Sequence, residues 1–229
     1  MPLRYEDDGP PPKGHPIRKT SAEVSAPSPR PGGGAEMNYQ RALQDWTGYK
    51  AKSYDDGRQG NAKWEAENAG IEKLYRAPEG ARVLDAGCGT GRLFSFFKSK
   101  GAEIAAIDAS EEMLKQAKQK HPDIQELHVA DIMQLPVGDK AAHTTVCLRL
   151  LEKFTEPEMA HALSELCRVS EHHVIVGLLT GKEIEKRNRA NVARQRVFES
   201  IVEQCGFRIE DVAIVRQPDY YIWRLGRVR

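Results

Sequence analysis

Apolar stretches alternate along the chain with stripes of helical spacing. The apolar stretches are 83–86, 103–108, 126–131, 143–150 and 173–179. Between them, apolar side chains recur at three- and four-residue intervals, as in Leu93, Phe94 and Phe97. Strands that alternate with helices predict an α/β domain with a largely parallel sheet. Two more strands, 207–216 and 220–226, flank a segment whose Pro218 suits a turn.

Three of the predicted strands end in an acid. These residues are Asp85, Asp108 and Asp131, and each is followed by a turn or a helix pattern. The carboxyl ends of parallel strands meet at one edge of an open α/β sheet, and ligands bind there. The pattern therefore predicts three hydrogen-bond acceptors along a ligand-binding edge.

A glycine-rich turn follows the first acid. Residues 83–91 read Val-Leu-Asp-Ala-Gly-Cys-Gly-Thr-Gly, and a helix pattern starts at Arg92. Glycines allow positive φ and a close approach of the backbone to a ligand. A turn that opens a helix is also expected to present free backbone N–H groups. We therefore predict a ligand-binding turn, which we call the elbow (residues 85–91).

Two kinds of nucleotide site do not fit the elbow. A phosphate-binding P-loop needs a Lys followed by Ser or Thr after the glycines, and this chain has neither there. A dinucleotide site needs a third glycine or an alanine where this chain has Arg92. The elbow is therefore expected to bind a different ligand.

The pattern hydrophobic-Leu-Asp-x-Gly-x-Gly-x-Gly at residues 83–91 resembles motif I of the class I S-adenosylmethionine-dependent methyltransferases. The resemblance implies a doubly wound, mostly parallel, seven-stranded sheet of Rossmann-like type, with a closing antiparallel hairpin. It implies S-adenosyl-L-methionine as the cofactor. The implied cofactor-binding residues are Tyr54, Asp85, Gly87, Gly89, Gly91, Asp108, Ala109, Met113, Asp131, Ile132 and Leu148.

The resemblance gives these residues different roles. Asp85 and the glycines hold the methionine and ribose parts of the cofactor. Asp108 grips the ribose diol, because one carboxylate can accept from both hydroxyls. Asp131 accepts from the adenine amino group, with the backbone of Ile132 beside it. Met113 lies near the adenine in the family, although its helical spacing is equally consistent with the core.

The methyl acceptor is expected near the end of the fourth strand, and the sequence there does not name a catalytic residue. Residues 149–154 depart from the Asn- or Asp-Pro-Pro-aromatic motif of amino-methyltransferases, which argues against adenine-N6 DNA chemistry. Cys147 is expected to be a small buried hydrophobe rather than a nucleophile. Glu152 is the ionisable candidate for a general base close to this strand end, but a solvated acid at a helix start is the alternative.

We expect a methyltransferase that acts on a small molecule. Residues 182–196 hold six basic residues against two acids, so RNA or protein methylation is an alternative. Nucleic acid is not favoured, because no aromatic residues are interleaved with these charges. A cofactor-binding scaffold without catalysis is a third hypothesis. The sequence predicts neither the oligomeric state nor the methyl acceptor.

The composition is ordinary for a soluble protein. The chain has 229 residues, a net charge of +1 and 40% hydrophobic residues, which suffice for one α/β domain. Its four cysteines show no metal-ligand or disulfide spacing, so no metal site is expected and a reducing compartment is indicated. We predict no signal peptide and find no apolar run long enough for a bilayer in the sequence, so we expect a cytoplasmic protein without membrane contact.

The first part of the chain differs in kind. Residues 1–36 hold eight of the thirteen prolines and are predicted to be a disordered tail. Residues 37–229 are predicted to form the methyltransferase domain, with 37–76 as an N-terminal helical cap. The resemblance implies that this cap covers the methionine end of the cofactor. Tyr54 then lines the cofactor site, or it simply packs against the helices.

Overall fold

The structure is a computed structural model that describes residue 55 and residues 60–179, 195–216 and 220–228. Within these ranges the helices are α1 (Ala62–Leu74), α2 (Phe94–Ser99), α3 (Glu111–Lys120), α4 (Glu156–Val169) and α5 (Gln195–Gln204), with a 3₁₀ turn at Leu151–Lys153. The strands are β1 (Arg82–Ala86), β2 (Glu103–Asp108), β3 (Glu126–Val129), β4 (Ala142–Cys147), β5 (Ser170–Leu179), β6 (Phe207–Arg216) and β7 (Tyr220–Arg227).

The seven strands form one mixed sheet in the order β3-β2-β1-β4-β5-β7-β6. The first five strands pair in parallel. Strand β7 runs antiparallel between β5 and β6, with Tyr220 opposite Leu179 and Gly226 opposite His173. The start of β7 therefore lies at the same edge as the carboxyl ends of the parallel strands. This confirms the predicted fold class.

Helices cover both faces of the sheet. Successive side chains of β2 point to opposite faces of the sheet. Ala105 and Ile107 belong to the large hydrophobic cluster that includes α4 and α5, whereas Ala106 packs with α3. The second cluster fills the opposite face under α1 and α2, where Leu74 and Phe97 are fully buried. Burial on both faces makes the strands nearly continuous apolar runs, which is typical of parallel sheets.

Helix α1 lies directly on the β6–β7 hairpin because Gly70 faces it. A Cβ at Gly70 would lie 3.1 Å from the Ile222 side chain and 3.3 Å from the Ala213 side chain. The Lys73 ammonium then donates to the Val212 carbonyl at 2.9 Å. This close packing holds α1 on the hairpin and thereby sets the position of its N-terminal half at the sheet edge.

The strand and helix boundaries predicted from the sequence differ from those in the structure by a few residues. Strand β2 has the predicted bounds. At the start of α3 the Ser110 hydroxyl caps the helix by accepting from Met113 N–H at 3.3 Å. The prediction for β3 was too long, because the strand ends at Val129 and not at Asp131. Strand β4 likewise ends at Cys147, three residues before the predicted end at 150.

The part of the chain before residue 60 is described only at Asp55, so the predicted tail and most of the cap lie outside the described residues. No helix in the described ranges is long and apolar enough to cross a membrane. All four cysteines are free thiols.

The Gly70 contact predicts a position-specific packing cost. Gly70→Val should lower the free energy of unfolding by about 1–3 kcal/mol, because the branched side chain collides with the hairpin. Ala69→Val, at the neighbouring exposed position, should cost only its helix propensity, about 0.5 kcal/mol. Urea unfolding of both variants measures the difference, and equal losses would contradict the packing assignment.

Candidate functional site

The elbow turns through three glycines with positive φ, at Gly87 (77°), Gly89 (56°) and Gly91 (77°). Two of them are also required by packing. A Cβ at Gly87 would lie 2.7 Å from Leu150, and one at Gly91 would lie 2.7 Å from Phe94. A Cβ at Gly89, in contrast, would meet no atom within 4 Å. Open space beside Gly89 therefore leaves room for a ligand against the backbone.

The prediction of free N–H groups was wrong for the first part of the elbow. Gly87 and Cys88 donate their N–H groups to the Ile107 carbonyl at 2.8 and 3.1 Å. Gly89 N–H donates to Asp108 Oδ2 at 2.8 Å. Helix α2 begins at Phe94, later than predicted, and is only six residues long. The elbow therefore differs from a phosphate cradle, whose N–H groups point at the ligand.

Two acids flank the elbow from neighbouring strands. Burial raises the pKa of Asp85 to about 7, with Arg92 opposing the shift and the charge of Asp108 adding to it. Burial also raises the pKa of Asp108, although N–H groups of Ser110 and Gly89 oppose the shift. Asp108 Oδ1 accepts from Ser110 N–H at 2.9 Å. This edge of the sheet therefore holds two carboxyls whose pKa values burial raises, and backbone N–H groups stabilise the charge of Asp108.

The third acid lies next along the same edge. Ala130 N–H donates to the Asp108 carbonyl at 3.1 Å, which joins the end of β3 to the end of β2. Asp131 follows, and its Oδ1 accepts from Met133 N–H at 2.8 Å. Ile132 is buried beside it. The structure thus brings the three strand-end acids to one edge, as the sequence predicted.

The remaining predicted residues are placed around this edge. Ala109 is exposed, whereas Met113 is buried on the first turn of α3. Leu148 is buried just past the end of β4. Tyr54 lies outside the described residues. Its neighbour Asp55 accepts from the Thr90 hydroxyl at 3.0 Å and pairs with Lys120, so this part of the chain reaches the elbow.

Sequence reasoning missed a buried ionic bridge beside the elbow. Glu67, on α1, pairs through Oε2 with Arg92 Nη1 at 2.9 Å and accepts through Oε1 from Arg149 Nε at 2.7 Å. The Glu67 and Arg92 side chains are only 6% and 14% exposed, and Trp64 stacks on the Arg92 guanidinium. One feature of the sequence could have indicated that Glu67 is buried, because Glu67 lies on the same helix face as the apolar residue Ile71.

Arg149 reaches this bridge from a strained backbone. Its φ is +60°, which is costly for a residue with a side chain. The guanidinium lies 3.6 Å from the centre of the Tyr220 ring while it donates to Glu67. The exit of β4 is therefore held to α1 and to the start of β7 by one side chain.

Glu152 lies in the 3₁₀ turn after β4. Its Oε2 is buried without a hydrogen-bond partner, and burial raises the pKa of the carboxyl to about 7, partly opposed by Arg149. The alternative of a solvated carboxyl is therefore wrong for this oxygen. Cys147 is fully buried, and burial raises the pKa of its thiol well above its usual range, as expected for a core cysteine rather than a nucleophile.

The bridge predicts unequal costs for two glutamates of α1. Glu67→Ala should lower the free energy of unfolding by about 3 kcal/mol, because it leaves two partly buried arginines unpaired. Glu72→Ala is the matched control, since Glu72 pairs with Lys100 at 3.7 Å on the surface and should cost under about 1 kcal/mol. Urea unfolding at neutral pH checks this, and similar costs would rule the bridge out as a stabilising contact.

The raised pKa of Glu152 predicts a stabilising substitution. A carboxyl whose folded pKa exceeds its unfolded pKa adds stability below the unfolded value and loses it as the pH rises through the folded pKa, here about 7. Glu152→Gln cannot acquire the charge, so it should be more stable than wild type by about 2 kcal/mol at pH 8 and nearly equal at pH 4. Thermal unfolding at both pH values, with the exposed Glu103→Gln as control, measures this, and a loss of stability at pH 8 would contradict it.

Comparison with known proteins agrees with this geometry. Residues 83–173 match the family described as "Methyltransferase domain". A malonyl-[acyl-carrier protein] O-methyltransferase of Pectobacterium atrosepticum is 33% identical over 107 residues, which are 47% of this chain and 41% of that protein. The matched part therefore spans about two fifths of that relative.

Solved structures share the fold at lower identity. Magnesium protoporphyrin IX methyltransferase from Synechocystis PCC 6803, with bound S-adenosylmethionine, aligns with a TM-score of 0.57 and 22% identity over 84% of this chain and 92% of that one. The 1,6-didemethyltoxoflavin-N1-methyltransferase of Burkholderia thailandensis aligns with a TM-score of 0.64 and 16% identity over 90% and 98%. Residues 83–173, which hold the elbow and the three strand-end acids, are therefore similar in sequence to methyltransferase domains, and the sheet has the fold of these solved methyltransferase structures.

Proposed function

We propose that this protein is an S-adenosylmethionine-dependent methyltransferase that acts on a small-molecule acceptor. The observation that carries the proposal is the pairing of Gly89 with Asp108. The Asp108 carboxylate accepts from Gly89 N–H at 2.8 Å, while the space beside Gly89 stays open. A carboxylate beside open space at the carboxyl edge of a parallel sheet suits a ribose diol.

The charge pattern of the elbow favours this cofactor over a dinucleotide. Three elbow N–H groups are already engaged within the protein, so they are not directed at a pyrophosphate. Asp85 and Asp108 are acceptors whose burial disfavours their charge. A nucleoside without phosphates, with hydroxyl donors and a positive charge, would stabilise the ionised forms of both acids.

The chemistry divides between the cofactor and the chain. S-Adenosylmethionine, when bound, supplies a methyl group that its sulfonium already activates. The residues of the chain have to align the acceptor with that methyl and keep water out. Leu150, packed over Gly87, and the buried Leu148 close the sheet edge at this point.

The individual cofactor contacts remain proposals. Asp108 would bind the ribose, and Asp131 with Ile132 would bind the adenine, beside Ala109 and Met113. Asp85, Gly87, Gly89, Gly91 and Leu148 would surround the methionine end. Tyr54 lies outside the described residues, and its proposed contact with the cofactor rests on the sequence alone.

A small-molecule acceptor is supported by two structural neighbours, whose names specify a protoporphyrin and a toxoflavin precursor. The sequence relative acts on malonyl-[acyl-carrier protein], by its name. The RNA or protein alternative depends on residues 182–196, which lie almost entirely outside the described ranges. The non-catalytic scaffold is disfavoured by the unpartnered Glu152 beside the proposed site. The cytoplasmic location stays a prediction.

Calorimetry tests the cofactor assignment directly. Wild type should bind S-adenosylmethionine and should not bind NAD⁺. Asp108→Ala should weaken binding roughly 10- to 150-fold, the loss of one hydrogen bond to a charged group, about 1.5–3 kcal/mol.

Glu103→Gln is the matched control, because Glu103 is exposed at the opposite end of β2 and should leave binding unchanged. Circular dichroism verifies that both variants are folded. Absence of binding at millimolar cofactor, or unchanged binding in Asp108→Ala, would sink the assignment.

A further inference from the structure

Two buried polar atoms beside the proposed site lack hydrogen-bond partners. They are Glu152 Oε2 and the Tyr220 hydroxyl oxygen. An unsatisfied buried polar group costs about 1–3 kcal/mol, so each such group calls for an explanation. Both belong to one electrostatic cluster, because the charge of Glu152 contributes to the raised pKa of Tyr220.

Glu152 lies on the elbow side of the sheet. Leu150, two residues before it, covers Gly87. The charges of Asp85, Glu152 and Asp108 all raise the pKa of the buried Cys147 thiol, so the three carboxyls lie around the same part of β4. The Glu152 carboxyl therefore belongs to the same group of acids as the proposed cofactor site.

Tyr220 reaches the same place from β7. Its position opposite Leu179 puts it at the carboxyl end of β5. Gly177 makes room for the hydroxyl, since a Cβ there would overlap the hydroxyl oxygen and lie 2.8 Å from Leu148. The Tyr220 hydroxyl thus sits beside the exit of β4, where an acceptor would meet the methyl.

The charged groups around Glu152 and Tyr220 do not supply the hydrogen bonds that Glu152 Oε2 and the Tyr220 hydroxyl lack. Glu152 is faced by Arg149 and Lys153 of its own segment and by Glu67 from α1. Arg149 is committed to Glu67 by a hydrogen bond and to the Tyr220 ring by stacking. Because Glu152 Oε2 still lacks a partner, these contacts do not satisfy it.

We propose, on the basis of the methyltransferase function above, that Glu152 contacts the methyl acceptor and takes its proton while the Tyr220 hydroxyl orients it. The acceptor is then a small molecule whose reactive atom carries a proton, namely a hydroxyl or an amine N–H. Acceptors without such a proton, such as carboxylates, tertiary amines or thioethers, have no use for this base.

The step balances with these groups. The acceptor oxygen or nitrogen forms a bond to the methyl carbon, and the carbon–sulfur bond breaks with its electron pair going to sulfur. The positive charge of the sulfonium is thereby lost, and the proton that leaves the acceptor passes to Glu152 Oε2. Water then takes this proton and restores the carboxylate. A base with a pKa of about 7 is suited to such a transfer at neutral pH.

The first experiment separates this inference from the proposed function. Calorimetry with S-adenosylmethionine should give the same affinity for wild type, Glu152→Gln and Tyr220→Phe. Failure of wild type to bind would sink the proposed function itself. Binding by wild type but not by Glu152→Gln would overturn the inference, because Glu152 would then serve the donor.

The second experiment follows transfer of labelled methyl from S-adenosylmethionine into the small-molecule fraction of a cell extract. The wild-type rate should rise with pH through about 7 and then level off. Glu152→Gln should be slower by roughly 10²- to 10⁴-fold and lose this rise, whereas Glu152→Asp should keep part of it. A rise that persists in Glu152→Gln, or a label on a carboxylate or a thioether sulfur, would overturn the inference.

A third readout does not depend on turnover. Infrared difference spectra between wild type and Glu152→Gln isolate the carboxyl band of Glu152 from that of Asp85. The protonated band should disappear as the pH passes about 7. Addition of phenol to the S-adenosylhomocysteine-bound protein should shift this band in wild type and less in Tyr220→Phe. A Glu152 carboxyl that is already ionised at pH 5, or one insensitive to phenol, contradicts the proposal even where no extract fraction becomes labelled.

Discussion

The bridge from Arg92 through Glu67 to Arg149 connects the two halves of the candidate site. Arg92 follows the elbow, where the donor is proposed to bind, and Arg149 follows β4, where the acceptor is proposed to bind. Glu67 comes from a helix that Gly70 fixes on the distant hairpin. A carboxylate buried between two cations is stable only when both are in place, so the three elements depend on one another.

The charges around this bridge are arranged at a cost to stability. Asp85 and Glu152 both have pKa values raised to about 7 by burial, and Arg149 holds a positive φ. None of these features improves the folded state at neutral pH. Strain and buried acids of this kind concentrate at functional sites, where a ligand supplies the missing partners. The cost therefore supports the assignment of this edge, independently of any resemblance.

The geometry of the proposed donor side, with three acids and a glycine turn at one sheet edge, could be predicted from the sequence because its signals are local. A strand, an acid and three glycines are consecutive in residues 83–91, and Asp108 ends the next strand. The pattern of apolar residues likewise predicted the seven strands, and its errors were at strand ends such as that of β3. The engaged N–H groups of Gly87 and Gly89 could not be predicted, because their partners come from β2 and the residue that ends it.

Of the proposed acceptor side, Glu152 was a candidate from the sequence, because it follows the fourth strand; the rest could not be predicted, because no short segment contains it. Glu67, Arg149, Glu152 and Tyr220 come from a helix, a strand exit, a 3₁₀ turn and the last strand. Tyr220 in particular reaches the site only because β7 runs antiparallel and starts at the edge where β5 ends. Sequence shows that such a strand exists, but only the register shows which residue it presents. Since the proposed donor side is built from local motifs and the proposed acceptor side from long-range register, a change of acceptor would require few changes near the elbow.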